Sequence, residues 1–254
     1  MLQDVDAPMT CFPGGDPAPD DWVFASEDDR AALAPWAPGM AVRLPLVRLG
    51  GRTLFAGEPG RPLESAQRLR AIPDAALRFA AFTALHLDRW LREHRVCGRC
   101  GAPLAPGRSL RCGACGLEVF PAIAPAVILG VTRRGKLLVT RYADRPYAGP
   151  ALVAGYCEPG ETLEATCRRE ALEEVGLRLG PPRYFASQPW GLSGALLAGF
   201  FAEAESDRVV LADGELAEAR WLAPDELPPP PDAAGPLSLT ATMIQAFALQ
   251  RILP

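Results

Sequence analysis

The chain has 254 residues, of which 49% are hydrophobic and 22% are charged, and its formal net charge is −4 at pH 7. A length above the usual size of one domain predicts a main domain with one or two smaller modules. No apolar run approaches the ~20 residues of a membrane-spanning helix, so we expect no membrane partner. The acidic balance argues against a protein that coats nucleic acid over its whole surface.

The compartment is read from the N-terminal residues and the cysteines. The first residues are MLQDVDAPMTCFPGGDPAPDDW, without the basic and then apolar layout of a signal peptide. The chain also contains seven cysteines. We therefore expect a cytoplasmic protein in which these cysteines are reduced thiols or metal ligands.

The N-terminal part shows weak strand signals followed by one long helix signal. The strand-like runs are MAVRLPLVRL and GRTLFAG, bounded by turn residues. Residues 73–95 contain a proline near the start, many helix formers and no internal breaker, which predicts a helix. The helix leads directly into a cysteine-rich segment. We predict three domains, over residues 1–92, 93–118 and 119–254.

Two CxxC pairs define the middle module. Cys97 and Cys100 are separated by eleven residues from Cys112 and Cys115. Four thiolates at this spacing bind Zn²⁺ tetrahedrally and leave no position for a reacting water, so we predict a structural zinc site. An arginine cluster surrounds this module, and it forms either a phosphate-binding patch or a solvated helix end. Its members are Arg89, Arg92, Arg95, Arg99, Arg108 and Arg111.

Residues 119–254 alternate strand signals with helices, which predicts a mixed α/β domain. The strand-like runs are AVILGV, KLLVTRY, ALVAG, GALLAGFFAEA and DRVVL, and LSLTATMIQAFALQRI predicts a closing helix. Between the third and fourth runs lies GYCEPGETLEATCRREALEEVGL, residues 155–177. This segment carries the strongest helix signal of the domain.

Three glutamates share one side of this helix. At about 100° per residue, Glu170, Glu173 and Glu174 occupy one sector, and the apolar side chains of Ala171, Leu172 and Val175 are expected to dock on the sheet. Such close carboxylates repel one another unless a cation neutralises them. Oxygen ligands without nearby His or Cys favour Mg²⁺ or Mn²⁺. The alternative is an ordinary solvated acidic face.

The spacing of these residues resembles the Nudix box. Its fixed positions fall on Gly155, Glu161, Arg169-Glu170, Glu173-Glu174 and Gly176, and only Ala171 departs, where a larger aliphatic residue is usual. The resemblance implies an α/β/α sandwich with a mixed sheet that hydrolyses a diphosphate joined to a nucleoside. The four-cysteine module, the box and SQPW at 187–190 together are similar to the NADH pyrophosphatase branch of Nudix hydrolases.

This resemblance implies the roles of individual residues. The Mg²⁺ or Mn²⁺ ligands are expected to be Glu170, Glu174, Glu215 and the carbonyl of Ala154. The catalytic acids are expected to be Glu170, Glu173 and Glu174, and which of them deprotonates water is left open. The resemblance also implies a homodimer whose partner chain completes the pocket.

The expected substrate pocket contains aromatic and polar side chains. Its members are Phe120, Tyr156, Gln188, Pro189, Trp190 and Thr240. Two features depart from the branch: Ala122 replaces an arginine, and Gly191-Leu192-Ser193 replaces a proline-rich segment after Trp190. We expect this glycine-containing loop to be flexible and to broaden substrate specificity.

Three functions are consistent with these residues. The first is hydrolysis of NADH or NAD⁺ to AMP and nicotinamide mononucleotide, including NAD at RNA 5′ ends. The second is the same chemistry on another dinucleotide or ADP-linked compound. The third is a zinc-ribbon protein that binds nucleic acid through an inactive Nudix scaffold, which the retained, mutually repelling glutamates argue against.

Overall fold

The computed structural model describes residues 9–27, 30–49, 51–143, 149–211, 214–227 and 238–250. By their contacts the residues form two compact units. One extends to Ile123 and includes Trp190–Gly194, and the other comprises Ala124–Pro189 and the residues from Ala195 onward. The predicted boundaries at 92/93 and 118/119 stay predictions. Within the described ranges, no helix is long and apolar enough to cross a membrane.

The N-terminal unit contains a six-stranded sheet in the order β1-β4-β5-β2-β3-β6. Its strands are β1 (Met9–Cys11), β2 (Trp22–Glu27), β3 (Arg30–Pro35), β4 (Val42–Leu49), β5 (Arg52–Gly57) and β6 (Glu64–Ser65). The pairs are antiparallel except β2 with β5. A 3₁₀ helix, Ala66–Ala71, follows β6. The two strand-like runs predicted in this part are confirmed as β4 and β5.

The long helix α1 covers one face of this sheet. It spans Ala75–Glu93, two residues shorter at each end than predicted, and Asp74 caps its N-terminus by accepting from the backbone of Ala76 and Leu77. Its buried side chains, including Phe82 and Leu85, pack with sheet residues in one apolar core. A three-stranded ribbon follows, made of β7 (Leu104–Ala105), β8 (Leu110–Cys112) and β9 (Glu118–Val119).

The C-terminal unit contains a mixed sheet in the order β13-β14-β10-β11-β15, with β12 on β10 as well. These strands are β10 (Ala124–Arg133), β11 (Lys136–Tyr142), β12 (Val153–Tyr156), β13 (Arg183–Trp190), β14 (Ala195–Glu203) and β15 (Leu216–Leu222). The pairing of β10 with β14 is parallel, whereas its pairings with β11 and β12 are antiparallel.

Helices cover both faces of this second sheet, as the α/β/α prediction requires. On one face α2, Leu163–Val175, packs with Val127, Leu129 and other sheet residues. On the opposite face α3, Leu239–Ala248, packs with Ile128, Phe201 and their neighbours. Successive residues of β10 thus point to opposite helices, as the two-residue period of a strand demands. The predicted α/β sandwich is confirmed.

One predicted strand is wrong. The run Asp207–Leu211 forms no strand, although its β-branched residues gave a strand signal. The backbone N–H of Val210 donates instead to the carbonyl of Val175, at the end of α2. The segment therefore bonds to the end of a helix, whereas a strand would have to bond to a neighbouring strand.

The turn after Trp190 is packed, contrary to the flexibility expected from its sequence. Gly191 is buried and lies so close to α1 that an added Cβ would overlap the backbone carbonyl of Phe82. Leu192 packs against the N-terminal core, and Arg89 donates to its carbonyl at 2.8 Å. Because the turn is already ordered, the entropic reason for a broadened specificity does not hold.

We predict that Gly191→Ala lowers the free energy of unfolding by about 1–3 kcal/mol, because the new methyl group forces α1 and the turn apart. Chemical denaturation measures this change. The control is Gly14→Ala, since a Cβ at Gly14 meets no atom within 4 Å. Equal stability of the two variants would contradict the close approach of Gly191 to α1.

Candidate active site and metal centre

The acidic helix α2 begins and ends at well-formed caps. The hydroxyl of Thr162 accepts from the backbone N–H of Ala165 at 3.1 Å. At the other end Gly176 adopts a left-handed conformation, with φ of 67°, and its N–H bonds to the last carbonyls of the helix. Glycine adopts this conformation at little cost, which explains why the motif closes on it. The two caps fix the first and last residues of the helix that carries the glutamates.

The buried face of α2 differs from the predicted one. Glu170 and Glu174 are only 9% and 2% exposed, beside the fully buried Ala171 and Val175. Leu172 was expected to dock on the sheet, but it is 50% exposed. Residues i, i+1, i+4 and i+5 therefore form the packed face, and two glutamates belong to it. The simple division into an apolar face and an acidic face is wrong.

Strand β12 supplies a surface for one buried carboxylate. A Cβ added at Gly155 would overlap the carboxylate of Glu170. The absence of a side chain at this position thus lets Glu170 reach the β12 backbone, next to Ala154. Glu170 therefore lies against the residue that follows Ala154, and the metal-binding roles of Glu170 and Ala154 stay predictions.

Arg169 connects the acids of the motif. Its Nε donates to Glu161 at 2.7 Å, and Nη1 donates to Glu170 at 2.7 Å and Glu173 at 3.0 Å. Its Nη2 donates to Glu161 at 3.0 Å and to the carbonyl of Tyr156 at 2.8 Å. These bonds use all five N–H donors of a guanidinium. The sequence motif contains Glu161 and Arg169, but their spacing alone did not reveal this connecting role.

The pKa values of Glu161 and Glu170 are shifted in opposite directions. Hydrogen bonding from Arg169 lowers the pKa of Glu161 to about 2, so this carboxylate stays ionised. Burial raises the pKa of Glu170, and the charges of Glu173 and Glu215 add to this effect, although Arg169 opposes it. The negative charge of Glu215, the residue before β15, therefore acts on Glu170 of α2.

Glu215 itself is exposed and immediately precedes β15. Its carbonyl accepts from the N–H of Ala143, at 2.9 Å, where β11 has just ended. Within the described part of the chain, only the four ribbon cysteines bring all their ligand atoms within 4.8 Å of one another. Arg169 lies between the carboxylates of Glu161, Glu170 and Glu173, which it contacts at 2.7–3.0 Å.

The expected pocket residues of the C-terminal unit lie in two places. Tyr156 is 52% exposed at the end of β12, beside the acidic helix. Gln188 is buried, and its Oε1 accepts from the N–H of Leu239 at 2.6 Å, which places it at the start of α3 next to Thr240. Pro189 is exposed on β13. Their binding roles stay predictions.

The other two expected pocket residues belong to the N-terminal unit. Phe120 is 63% exposed, directly after the ribbon. Trp190 stacks on Phe82 at 5.8 Å between ring centroids, and the guanidinium of Arg70 lies 5.6 Å from its ring. Stacking contacts of this kind hold an indole in a fixed orientation.

The four ribbon cysteines form two similar knuckles. In each knuckle the N–H of a left-handed glycine, Gly101 or Gly116, donates to the carbonyl of the first cysteine. The sulfur of Cys97 is 3.5 Å from that of Cys115, and Cys100 and Cys112 are equally close. The backbone N–H of Cys115 lowers the pKa of Cys112 to about 6, which favours the thiolate that zinc binds. The geometry fits the predicted structural zinc site.

We predict that Cys112→Ser releases zinc and lowers thermal stability, because metal binding and folding of such a ribbon are coupled. Elemental analysis of the purified protein measures the zinc content. Cys11→Ser is the control, since Cys11 lies outside the ribbon and should leave one zinc per chain. Full zinc content in Cys112→Ser would contradict the four-cysteine site.

Comparisons with known proteins match both segments that carry the motifs. The model of the NUDIX domain matches residues 122–243, and that of the NADH pyrophosphatase zinc ribbon domain matches residues 92–120. The NAD-capped RNA hydrolase NudC of Stutzerimonas stutzeri is 32% identical over 241 residues, covering 89% of this chain and 86% of the relative. That of Salmonella heidelberg is 36% identical over 163 residues, and the match spans 63% of its length.

A solved structure shares part of the fold of this chain. A NUDIX hydrolase from Nitrosomonas europaea has a TM-score of 0.52 at 22% identity and covers 62% of this chain and 92% of its own. This similarity supports the fold alone. Together, the two family models and the relative matched over most of its length confirm the resemblance read from the sequence. The chain belongs to the Nudix hydrolases that carry an NADH pyrophosphatase zinc ribbon.

Proposed function

We propose that the chain hydrolyses the diphosphate of NADH and NAD⁺, both free and as the 5′ cap of RNA. Water adds to one phosphorus, the bond from that phosphorus to the bridging oxygen breaks, and AMP and nicotinamide mononucleotide separate. On capped RNA the products are nicotinamide mononucleotide and RNA with a 5′-monophosphate. The relatives named NAD-capped RNA hydrolases support this choice of substrate.

The observation that carries the proposal is the burial of two acids on one face of α2. Glu170 and Glu174 are 9% and 2% exposed, and Glu170 lies against Gly155. Burying negative charge costs free energy unless a cation is bound nearby. A scaffold without catalytic function would gain stability by replacing these residues, so their presence favours an active hydrolase.

The residues present fit a divalent cation. Carboxylates and a backbone carbonyl are the donors that Mg²⁺ and Mn²⁺ prefer, and the proposed ligands are Glu170, Glu174, Glu215 and the Ala154 carbonyl. When bound, the cation neutralises charge on the diphosphate oxygens. Arg169 fixes the carboxylate of Glu170 through a 2.7 Å bond, and its own pKa is raised by Glu161, so it stays protonated.

Glu173 is the acid that remains accessible. Its side chain is 56% exposed, and Arg169 contacts one of its oxygens at 3.0 Å. The second oxygen is able to accept a proton from an attacking water. Glu170 and Glu174, which are buried, are better placed to hold a cation than to exchange protons with solvent. We propose Glu173 as a proton acceptor on this ground.

The compartment, the oligomeric state and the substrate contacts of the enzyme are part of the proposal. We propose a cytoplasmic homodimer, with Phe120, Tyr156, Gln188, Pro189, Trp190 and Thr240 as the substrate-contacting residues. The exposed aromatic rings of Phe120 and Tyr156 offer flat faces that suit stacking on a nicotinamide or adenine ring. Light scattering of the purified protein measures its mass in solution.

We predict that the purified protein with Mg²⁺ or Mn²⁺ cleaves NADH to AMP and nicotinamide mononucleotide, as identified by mass spectrometry. A panel with NAD⁺, ADP-ribose, diadenosine diphosphate and NAD-capped RNA measures the preference through kcat/KM. An ADP-linked compound preferred tenfold or more over NADH and capped RNA would assign the chain to another Nudix substrate. If none of these compounds is cleaved, the assignment of the chain as an active hydrolase is contradicted.

We predict that Glu174→Gln abolishes turnover and leaves the fold intact, because it removes a ligand charge and keeps the side-chain shape. Initial rates with NADH measure the effect, and circular dichroism checks the fold. Glu164→Gln is the matched control, since Glu164 lies in the exposed first turn of the same helix. Activity of Glu174→Gln within tenfold of the wild type would overturn its assignment as a metal ligand.

A further inference from the structure

The N-terminal unit contains a cavity of its own. It has a volume of about 400 Å³ and lies between the last turns of α1, strands β4 and β5, and the zinc ribbon. Leu44, Leu91, Leu104 and Leu110 form much of its wall. A half-open cavity of this size holds a ligand about as large as one nucleotide.

Basic side chains dominate the polar part of this wall. Arg43 comes from β4, and Arg92, His94 and Arg95 come from the end of α1 and the residues that follow it. Among the residues that the structure describes, Asp88 is the one acid that lines the cavity. The local charge is therefore positive in a chain whose net charge is −4, which points to an anionic ligand.

The single acid is already neutralised by its neighbours. Asp88 is 2% exposed and accepts from the hydroxyl of Ser26 at 2.8 Å. Arg92 lies 3.4 Å and Arg43 lies 3.6 Å from its carboxylate. One carboxylate therefore balances about one of the three guanidinium charges, and the cavity keeps a positive surplus.

Two of the three guanidinium groups retain donors for a ligand. The side chain of Arg43 is 59% exposed, and its 3.6 Å contact to Asp88 is longer than a hydrogen bond. Arg95 is exposed, and none of the ion pairs found among the described residues includes it. Each guanidinium carries five N–H donors that match phosphate oxygens.

The cavity also offers planar groups beside its apolar wall. The Nδ1 of His94 contacts the carbonyl of Trp90 at 2.8 Å, which fixes the ring orientation. Single-stranded RNA is recognised by splayed bases that stack on histidine rings and arginine planes, while phosphates pair with arginine. A small inorganic anion would leave the apolar wall exposed to water, whereas a nucleotide covers it.

We propose that this cavity binds one nucleotide of a single-stranded RNA, with its phosphate on Arg43 and Arg95 and its base against the apolar wall and His94. The RNA is the substrate chain of the proposed function, on which this inference rests. The cavity would hold the RNA portion independently of the dinucleotide cap. The arginines near the ribbon then act as a binding site, and are not only a solvated helix end.

The test measures binding of an uncapped RNA in the absence of Mg²⁺ and Mn²⁺. The probe is a fluorescent single-stranded decamer with a 5′-hydroxyl end, followed by anisotropy. We expect Arg43→Gln combined with Arg95→Gln to raise the Kd at least tenfold. The slope of log Kd against log salt concentration should fall by about 1.4, for two lost phosphate contacts.

Arg68→Gln combined with Arg134→Gln is the matched control. These arginines are 70% and 74% exposed and pair with Glu64 and Asp207 outside the cavity, so the change in net charge is the same. The control should change Kd less than twofold. Both double variants should cleave free NADH at the wild-type rate, and a cooperative thermal transition checks that each is folded.

The outcomes separate this inference from the proposed function. A cavity variant that binds the decamer as the control does would overturn the RNA site even if NADH is cleaved. Free AMP that binds the cavity as tightly as the decamer would show a mononucleotide site and would also overturn it. Because the probe contains no diphosphate and no divalent metal is added, failure to cleave NADH leaves this measurement valid.

Discussion

The active-site geometry depends on one guanidinium that holds several carboxylates. Arg169 joins Glu161, Glu170 and Glu173 to the carbonyl of Tyr156, and thereby ties α2 to the end of β12. Without this positive charge the acids would repel one another across a few ångströms. A lysine would supply the charge but not the planar fork that reaches four acceptor groups at once. The arrangement keeps these carboxylates close together without a bound cation.

The sequence predicted which acids of the motif share one side of α2, but not how each is oriented. Spacing along a helix correctly grouped Glu170 and Glu174, because helical periodicity depends only on local geometry. It misplaced Leu172, which is exposed, because the direction in which α2 docks is set by the sheet and by the small side chain of Ala171. The approach of Glu170 to Gly155 depends on the tertiary pairing of β12 with β10, which no local pattern contains. The alternation of strand and helix signals along the chain was enough to predict the fold class. It was not enough to predict the order in which the strands pair in the sheet.

The turn at Gly191 is a second case in which a local sequence pattern does not contain the tertiary contact that matters. A glycine in a loop reads as flexibility when only the chain conformation is considered. Here its missing side chain permits contact with the backbone of α1, and Leu192 and the bond from Arg89 hold the turn in place. Glycine therefore serves packing at this position. Only the contact with α1 distinguishes a flexible glycine from one that is required for packing. That helix lies about 100 residues earlier in the sequence.

Arginines in this chain differ in how many of their donors are already used. All five N–H groups of Arg169 have acceptors, so its guanidinium is committed to holding the acids in place. Arg43 and Arg95 stand at a cavity whose single acid is shared with Arg92 and Ser26. A guanidinium with satisfied donors stabilises a structure, whereas one with remaining donors next to an apolar wall is able to bind an incoming phosphate. The same residue type thus holds carboxylates in place in one unit and, in our proposal, binds the substrate RNA in the other.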